Sequence, residues 1–293
     1  MDTLSKRLLT FFIGIPAVIA IIVFLPFYNY LAVNLAVIFF SGIGAAELSS
    51  MLAKKQFTIS KTEAFILGAL MPAAFTLTSS LNFPAWTLPL VMITGAGWVL
   101  LSRVFSGQEK IDSVINHIAA GFTLLIYPGF FMYWVIRITA LGNAGIILLF
   151  LFITFGYDST AWLSGTLFGK NNRGVIPASP NKSIAGFVGG IIGSVIIAVG
   201  ASLMFPFLFT MRSACTLQAF IGCIPRLAFL LGLFTGIAAA LGDLAESAIK
   251  RSCDTKDSGK MMFGRGGVLD SIDSIAVAAP VFYFLFVLFF AAA

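Results

Sequence analysis

Long apolar segments separated by short polar ones form the main pattern along the chain. Windows of about 19 residues find such segments near 8–27, 31–52, 62–81, 84–104, 114–136, 144–167, 184–209, 226–249 and 269–292. Each is close to the length of about 20 residues with which an α-helix crosses a bilayer. Backbone groups in lipid must be satisfied within their own segment. The pattern therefore predicts an all-α, polytopic integral membrane protein with about nine transmembrane helices.

The first apolar segment has two interpretations. It follows Lys6 and Arg7, as the hydrophobic region of a signal peptide does. However, its apolar run is long for such a region, and no convincing small-residue cleavage site follows it. We predict a transmembrane helix here, with a signal peptide as the alternative.

Composition agrees with a membrane protein. Of the 293 residues, 59% are hydrophobic and 10% are charged, and the mean hydropathy is +1.01. Soluble domains are about 45–50% apolar. No linker or shift in composition divides the sequence, so we predict a single membrane-embedded domain over residues 1–293.

The basic residues predict the orientation. With the N-terminus inside, 15 of the 18 Lys and Arg residues fall on the cytoplasmic side, and only Arg137, Arg212 and Arg226 fall outside. Short cytoplasmic loops carry such an excess of positive charge. The net charge of +6 suits anionic headgroups or a nucleotide, although topology alone also explains it.

Cysteine and histidine offer little chemistry. Cys215, Cys223 and Cys253 lack metal-binding spacing, and Cys253 falls in a predicted inner loop where it should stay reduced. Cys215 and Cys223 share a predicted outer loop, so they are either free or paired. The single His117 is expected to be a packing or interfacial residue.

Acidic residues concentrate in the second half of the chain. Five of them lie in or at the ends of predicted spans: Asp158, Asp243, Glu246, Asp270 and Asp273. Each carboxylate at mid-bilayer would cost about 2.5–3.5 kcal/mol, so several together need compensation.

Helical spacing brings some of these acids together. Asp243, Glu246 and Lys250 lie three and four residues apart on one helix face, and Asp270 and Asp273 open the last span. Oxygen ligands without His or Cys favour a hard cation, with Mg²⁺ as the first candidate. Mutual neutralisation within a helix bundle is the alternative.

A second polar region separates spans six and seven. Gly165, Gly169 and Lys170 follow Asp158, and then Ser179-Pro180-Asn181-Lys182-Ser183 leads into a helix. Pro180 and Ser183 are typical of a turn and an N-cap. The free N–H groups of that helix would face the cytoplasm, where they suit a phosphate. Any solvated connection has a similar composition.

Glycines recur at helical spacing in spans seven and eight, at Gly186, Gly189, Gly190, Gly193, Gly232 and Gly236. Such pairs permit close helix approach. Packing within one subunit and a homodimer contact are both open.

Together these residues resemble the phosphatidate cytidylyltransferase (CDP-diacylglycerol synthase) family. The residues that match its C-terminal signature are Ser247, Lys250-Arg251, Lys256-Asp257, Gly259, Gly266-Gly267, Asp270 and Asp273. The upstream matches are Lys6-Arg7, Glu47, Asp158, Gly165, Gly169-Lys170, Ser179-Pro180, Lys182 and Gly242-Asp243. The resemblance covers nearly the whole chain. It departs at Ala185, Phe263, Arg265 and Ser271, where the family usually has Glu, Pro, His and Arg.

The resemblance implies transfer of a cytidylyl group from CTP to phosphatidate, which gives CDP-diacylglycerol and pyrophosphate. It implies a scaffold in spans 1–136 and a catalytic half over 144–293, with cytoplasmic loops 167–183 and 250–269. The implied catalytic residues are Asp243, Lys250, Arg251, Lys256, Asp270 and Asp273. The implied substrate-binding residues are Asp158, Lys170, Ser179, Lys182, Ser247, Asp257, Gly266 and Gly267.

Asp243, Asp270 and Asp273 are the expected ligands of Mg²⁺ and of a second cation. We expect a homodimer in the inner (plasma) membrane, with its active site on the cytoplasmic side, in contact with membrane lipid and without nucleic acid. Three alternatives are open: a CTP-dependent enzyme for an isoprenoid or ether lipid, a weakened homologue, and an ion-coupled transporter. A transporter would place polar residues across the membrane, whereas the polar regions here fall on one face.

Overall fold

A computed structural model describes residues 14–104, 107, 111–209, 217–262 and 266–290, with the side chains of 217–222 excepted. Its helices are α1 (Ile15–Phe24), α2 (Phe27–Leu52), α3 (Lys61–Ser80), α4 (Thr87–Leu101), α5 (Val114–Leu124), α6 (Phe131–Thr139), α7 (Ala144–Phe168), α8 (Ile184–Met204), α9 (Leu217–Ser252) and α10 (Leu269–Phe290). A π-helical turn, Leu125–Phe130, joins α5 to α6. Among these described residues the only extended pairings are two isolated bridges. The all-α prediction is confirmed.

Seven helices in the described ranges are long and apolar enough to cross a membrane, with α5, the π-helical turn and α6 counted as one. The two shorter apolar helices, α1 and α4, also fall on predicted spans. The protein is therefore a polytopic helical membrane protein. The count of nine spans and the orientation of the N-terminus stay predictions.

Several predicted spans differ from their helices at the ends. The segment predicted at 226–249 belongs to a helix over Leu217–Ser252, so Cys223 lies in α9 and not in the predicted outer loop. The segment predicted at 84–104 is helical only over Thr87–Leu101, a length of 15 residues. The segment predicted at 184–209 ends its α-helix at Met204 and continues as a 3-10 turn, Pro206–Phe209. Proline cannot donate to the helix and disfavours helical geometry in the residue before it, which explains the stop at Phe205.

The chain divides into two compact units. The first contains Met1–Gly142 and Ile249–Ile272, and the second contains Asn143–Ala248 and Asp273–Ala293. The loop between α9 and α10 thus belongs with the N-terminal helices, although we predicted it for the catalytic half. A single domain, and its division into scaffold and catalytic half, stay predictions.

In the first unit α2 packs closely on α3. A Cβ atom at Gly68 would lie 2.4 Å from the Cβ of Ala45, so only glycine permits this approach. The Ser41 hydroxyl is 2.7 Å from the carbonyl oxygen of Gly68 and 2.5 Å from that of Pro128. Pro128 cannot donate within its π-helical turn, and Ser41 lies beside the resulting irregularity.

The second unit is organised by the predicted glycines. A Cβ atom at Gly190 would lie 2.5 Å from the Tyr157 ring, and one at Gly193 would lie 2.1 Å from the Thr160 hydroxyl. On the opposite side of α8, a Cβ atom at Gly232 would lie 2.7 Å from the carbonyl oxygen of Ser194. These glycines therefore serve packing within one subunit, the first of the two interpretations.

His117 is 1% exposed and lies 3.1 Å from both the Ser102 hydroxyl and the Arg103 guanidinium. It is a packed residue, as predicted. Cys253 is buried. Cys215, for which pairing with Cys223 was one of two alternatives, lies outside the described residues. So do Phe263 and Arg265, two of the departures from the family pattern.

Candidate functional site

A cavity of about 400 Å³ with an apolar wall and several charged side chains lies within the second unit. This is within the usual range for small-molecule sites, about 300–1,000 Å³. Its walls come from α7, from the loop 169–183, from the start of α8 and from one residue of α9. The polar lining residues are Asp158, Thr166, Arg173, Asn181, Lys182, Ser183 and Asp243.

The loop 169–183 folds back on itself to reach this cavity. Arg173 and Ser183 form an isolated antiparallel bridge. Gly174 has a φ of +81°, a conformation that favours glycine, and its N–H donates to the carbonyl of Pro180 at 2.9 Å. The fold-back explains how Arg173, nine residues before Lys182, lines the same cavity.

The N-terminus of α8 opens at the cavity. The Ser183 hydroxyl accepts a hydrogen bond from the N–H of Gly186 at 3.0 Å, which confirms the predicted N-cap. A Cβ atom at Gly169 would lie 2.5 Å from the Ser183 hydroxyl, so glycine lets α7 end directly beside the cap. The predicted free N–H groups are already used, because Ile184 donates to the carbonyl of Asn172 at 3.1 Å and Ala185 to its side-chain oxygen at 3.5 Å. What favours an anion here is the positive end of the helix dipole.

The cavity combines both signs of charge. Lys182 forms an ion pair with Asp243, and the two side chains are 26% and 28% exposed. Asp158 and Arg173 line the same space. Lys182, Asp243 and Asp158 are partly buried, so these three charges interact more strongly than they would on an open surface, whereas Arg173 is exposed.

Asp243 is fixed by close packing of α9 on α10. A Cβ atom at the preceding Gly242 would lie 2.4 Å from the carbonyl oxygen of Asp273. The Asp273 side chain is 7% exposed, and its Oδ1 accepts a hydrogen bond from the N–H of Ser274 at 2.6 Å. Glu246, one turn after Asp243, is fully buried.

The oxygen donors of the cavity fit a magnesium ion that arrives with a ligand. Within the described part of the chain, no group of three or more His, Cys, Asp or Glu residues forms a ready-made metal cage. Mg²⁺ commonly uses one or two carboxylates plus phosphate oxygens and water instead. Asp158 and Asp243 supply two carboxylates to one cavity.

A second polar cluster lies in the first unit, around Asp270. Its Oδ1 accepts a hydrogen bond from the Lys250 ammonium at 2.6 Å. Its Oδ2 accepts from the N–H of Ser258 at 3.0 Å and from the N–H of Gly267 at 2.7 Å. The Ser258 hydroxyl lies 3.0 Å from this oxygen and 3.0 Å from Glu47 Oε2, and its one proton is shared between the two carboxylates. A carboxylate has about four acceptor positions. A metal ion at Asp270 would therefore compete with the Lys250 ammonium and with these N–H groups for the carboxylate.

Glycine is required beside Asp270. Gly266 has a φ of +99°, and a Cβ atom there would lie 2.5 Å from Asp270 Oδ2. Ser271, a departure from the family pattern, directs its hydroxyl to the carbonyl of Gly267 at 3.4 Å.

The other predicted site residues lie in varied surroundings. Four of them are exposed: Lys170, Arg251, Lys256 and Asp257. Ser179 is half-buried in a turn in which its carbonyl accepts from the N–H of Lys182 at 3.1 Å. Ser247 is buried in α9.

Several residues of these clusters were not predicted as site residues, among them Thr166, Arg173, Asn181 and Ser258. Arg173 and Asn181 line the cavity, and Ser258 joins Asp270 to the first unit's helix α2. For Arg173, Asn181 and Ser258, the only available signal was their place in the two polar loops, which many solvated residues share.

The cavity of this helical membrane protein combines a helix N-terminus, two basic side chains and two carboxylates. These are the features of a membrane-embedded protein that handles phosphate groups. The family model described as the cytidylyltransferase family matches residues 5–289, and the chain belongs to this family.

Similar proteins agree with this membership. The chain is 30% identical over 287 residues to the phosphatidate cytidylyltransferase of Thermotoga maritima, covering 98% of this chain and 97% of the relative. It is 32% identical to the enzyme of the same name from Bacillus subtilis, over 65% of this chain and 66% of the relative. For the Haemophilus influenzae protein of that name, identity is 40% over 48% of this chain and 46% of the relative.

Proposed function

We propose that this chain is a CTP:phosphatidate cytidylyltransferase that produces CDP-diacylglycerol and pyrophosphate for phospholipid synthesis. Its membership of the cytidylyltransferase family carries the proposal. The cavity supports it, because Lys182, Arg173 and the N-terminus of α8 suit a polyanion while Asp158 and Asp243 suit its metal ion.

The chemistry suits a site without a catalytic histidine. An oxygen of the phosphatidate phosphate attacks the α-phosphorus of CTP, forming one P–O bond. The bond between the α-phosphorus and the bridging oxygen breaks, and pyrophosphate leaves with that electron pair. Because the attacking oxygen is already anionic at neutral pH, no strong general base is required. The main demands are to bring two anions together and to stabilise the charge that develops.

The basic residues meet these demands. Lys182 and Arg173 neutralise phosphate oxygens in the cavity, and the positive end of the α8 helix dipole favours the same anion. Lys250, Arg251 and Lys256 serve the same purpose for the nucleotide or the lipid. Gly266 and Gly267 let the backbone approach a phosphate closely.

The remaining predicted residues hold these groups in place. Ser179 and Lys170 border the loop that carries Lys182, and Asp257 orients its basic neighbours. Ser247 lies on the helix face of Asp243.

Carboxylates hold the metal ions in this proposal. Asp243, Asp270 and Asp273 are the proposed ligands for Mg²⁺ and a second cation, with Asp158 beside Asp243 in the cavity. When bound, Mg²⁺ neutralises charge on the phosphates. Lys182 and Lys250, which now pair with Asp243 and Asp270, would then be released to the substrate phosphates.

The proposed location is the inner membrane, with the site on the cytoplasmic side and a homodimer as the assembly. The excess of basic residues at that side supports the orientation. Trp162 lines the cavity while 71% exposed. An apolar wall of this kind suits phosphatidate, whose acyl chains stay in lipid while its headgroup enters the cavity.

Release of pyrophosphate by the purified protein in detergent–lipid micelles tests the proposal. CTP, Mg²⁺ and phosphatidate are omitted in turn, and ATP replaces CTP. We expect turnover that requires all three and rejects ATP. Absence of turnover with phosphatidate, together with turnover on an isoprenoid or ether-lipid phosphate, would contradict the proposed substrate. If the protein turns over none of the lipids, and the double variant Arg265→His with Ser271→Arg restores turnover, the protein is a weakened homologue.

A further inference from the structure

Glu47 lies near the end of α2 and contacts the polar segment that precedes α10. Its Oε2 accepts hydrogen bonds from the Ser258 hydroxyl and from the backbone N–H of Leu269, both at 3.0 Å. Both partners are more than 200 residues away in sequence. A single carboxylate oxygen therefore ties the 258–269 segment to a helix of the first unit.

The segment is shaped to accept this carboxylate. A Cβ atom at Gly259 would lie 2.1 Å from Glu47 Oε1, and one at Gly267 would lie 2.3 Å from Oε2. Real Cβ atoms do not approach other atoms so closely, so any side chain at either position would displace Glu47 or the segment. The two glycines thus serve the approach of Glu47 as well as the backbone conformation.

Ser258 connects Glu47 to the proposed catalytic residues. Its hydroxyl lies 3.0 Å from Glu47 Oε2 and 3.0 Å from Asp270 Oδ2. Asp270 in turn holds the Lys250 ammonium at 2.6 Å through its other oxygen. A continuous polar chain runs from Glu47 through Ser258 and Asp270 to Lys250, all within the first unit.

A carboxylate at this place is costly unless its charge is used. Two carboxylates that share one hydroxyl repel each other, and Glu47, which is half-buried, also loses part of its hydration. A contact that served packing alone would need no charge, since a neutral acceptor such as Gln could accept the same two hydrogen bonds. The charged acceptor, by contrast, aligns Ser258 and the first N–H of α10, and charge-assisted hydrogen bonds are the stronger kind.

We propose that Glu47 is a positioning residue, which through Ser258 and the Leu269 N–H holds Asp270 and Lys250 in their reactive arrangement. The roles of Asp270 and Lys250 rest on the proposed function. Glu47 itself would contact neither the substrate nor a metal ion, so its loss should lower kcat more than it raises KM for CTP.

The test compares Glu47→Ala, Glu47→Gln, Ser258→Ala and the double variant Glu47→Ala with Ser258→Ala. We expect Glu47→Ala to lower kcat by about 10- to 100-fold, the range seen when a supporting partner of a site is removed. Glu47→Gln should recover part of this, because its amide oxygen still accepts from Ser258 and Leu269. The kcat of the double variant should be no lower than that of the less active single variant, because both substitutions remove the same link.

Asn34→Ala is the matched control on α2. Asn34 is fully buried, donates to the Ser80 hydroxyl at 3.3 Å and accepts from the Thr139 hydroxyl at 2.7 Å. Its loss should lower the thermal midpoint in detergent and leave kcat unchanged. Wild-type kcat in Glu47→Ala, or a kcat that falls only in proportion to folded protein, would overturn the proposal.

Trypsin cleavage after Lys256 and Lys260, both exposed, provides a readout that does not depend on turnover. Glu47→Ala and Ser258→Ala should accelerate this cleavage at a temperature where Asn34→Ala does not. If the wild type proved inactive with CTP and phosphatidate, accelerated cleavage would still support the tie, whereas unchanged cleavage would refute it. Failure of the proposed enzymatic function and failure of the Glu47 proposal therefore give different results.

Discussion

The ammonium of Lys182, which precedes the N-cap of α8, forms an ion pair with the carboxylate of Asp243 in α9. The same arrangement recurs in the first unit, where Lys250 pairs with Asp270. In both pairs a proposed metal ligand is neutralised by a proposed phosphate-binding lysine. In either pair, a metal ion would replace the lysine at the carboxylate, and a phosphate would replace the carboxylate at the lysine. No charge would then be left uncompensated, which a buried site requires.

Replacement of Asp243 by Asn should remove this exchange. The neutral amide keeps the size of the side chain but neither attracts a cation nor balances Lys182. We expect kcat/KM to fall by more than about 100-fold, the scale on which single electrostatic groups act in catalysis. Pyrophosphate release measured over a range of Mg²⁺ concentrations checks this. Wild-type turnover in Asp243→Asn would contradict the assignment of Asp243 as a ligand.

Replacement of Lys182 by Met should separate binding of the metal from binding of the nucleotide. Without the competing ammonium, Asp243 should bind Mn²⁺ more tightly in the absence of CTP, as measured by electron paramagnetic resonance. KM for CTP should rise about tenfold or more, because a phosphate loses its cation. Lys61→Met, at an exposed position on α3 outside the cavity lining, is the comparison for nonspecific loss of charge. Unchanged Mn²⁺ affinity in Lys182→Met would argue against the exchange.

Gly193→Ala should destabilise the second unit. The added Cβ would lie 2.1 Å from the Thr160 hydroxyl, on the closely packed face between α7 and α8. Overpacking of this kind typically costs about 1–3 kcal/mol, so the thermal midpoint should fall by several degrees. Gly200→Ala on the same helix is the control, because nothing lies within 4 Å of its added Cβ. It should be neutral or slightly stabilising, since alanine is the better helix former.

Much of the fold followed from the sequence because lipid imposes a simple rule. Each long apolar segment must be a helix, and the glycine spacing in α8 correctly indicated close helix packing. Helix ends were less predictable. Pro206 ended α8 at Met204, before the predicted end at 209, and α4 is shorter than its apolar segment.

The candidate site could be predicted only where its residues share one helix or one loop. Asp243 and Ser183, which the sequence singled out by spacing, both line the cavity. Spacing could not show that the 169–183 loop folds back to bring in Arg173, or that Ser258 lies between two carboxylates. Such contacts depend on tertiary structure across many residues, and Arg and Ser in polar loops are too common to attract attention.

The exposed ion pair between Lys55 and Asp254 should contribute a small, pH-dependent stability. The pKa of the Asp254 carboxyl lies below its usual value, because the Lys55 ammonium donates a hydrogen bond to it at 2.7 Å and carries the opposite charge. A carboxyl whose pKa is lowered by folding stabilises the protein above its unfolded value of about 4, and loses this as the pH falls through the folded value.

Asp254→Asn should therefore lower the thermal midpoint slightly at pH 7 and leave turnover unchanged. The difference from the wild type should shrink as the pH falls below about 4. Thermal unfolding followed at several pH values checks this. The difference in thermal midpoint between Asp254→Asn and the wild type should also shrink in high salt, because exposed charges are screened. A difference that grew in acid would have the wrong sign for this ion pair.

Trp162→Ala should weaken binding of the lipid substrate and not of the nucleotide. Trp162 is an exposed aromatic on α7 that also lines the cavity, so it suits the boundary between a lipid headgroup and its acyl chains. Loss of about 1 kcal/mol of contact corresponds to roughly a fivefold rise in KM for phosphatidate, with KM for CTP unchanged. Leu163→Ala is the matched control, since Leu163 is the next residue, is also exposed and is not among the cavity-lining residues. KM is measured in mixed micelles in which the phosphatidate concentration is varied. An equal rise in KM in both variants would assign the effect to the lipid-facing surface of α7 rather than to the cavity.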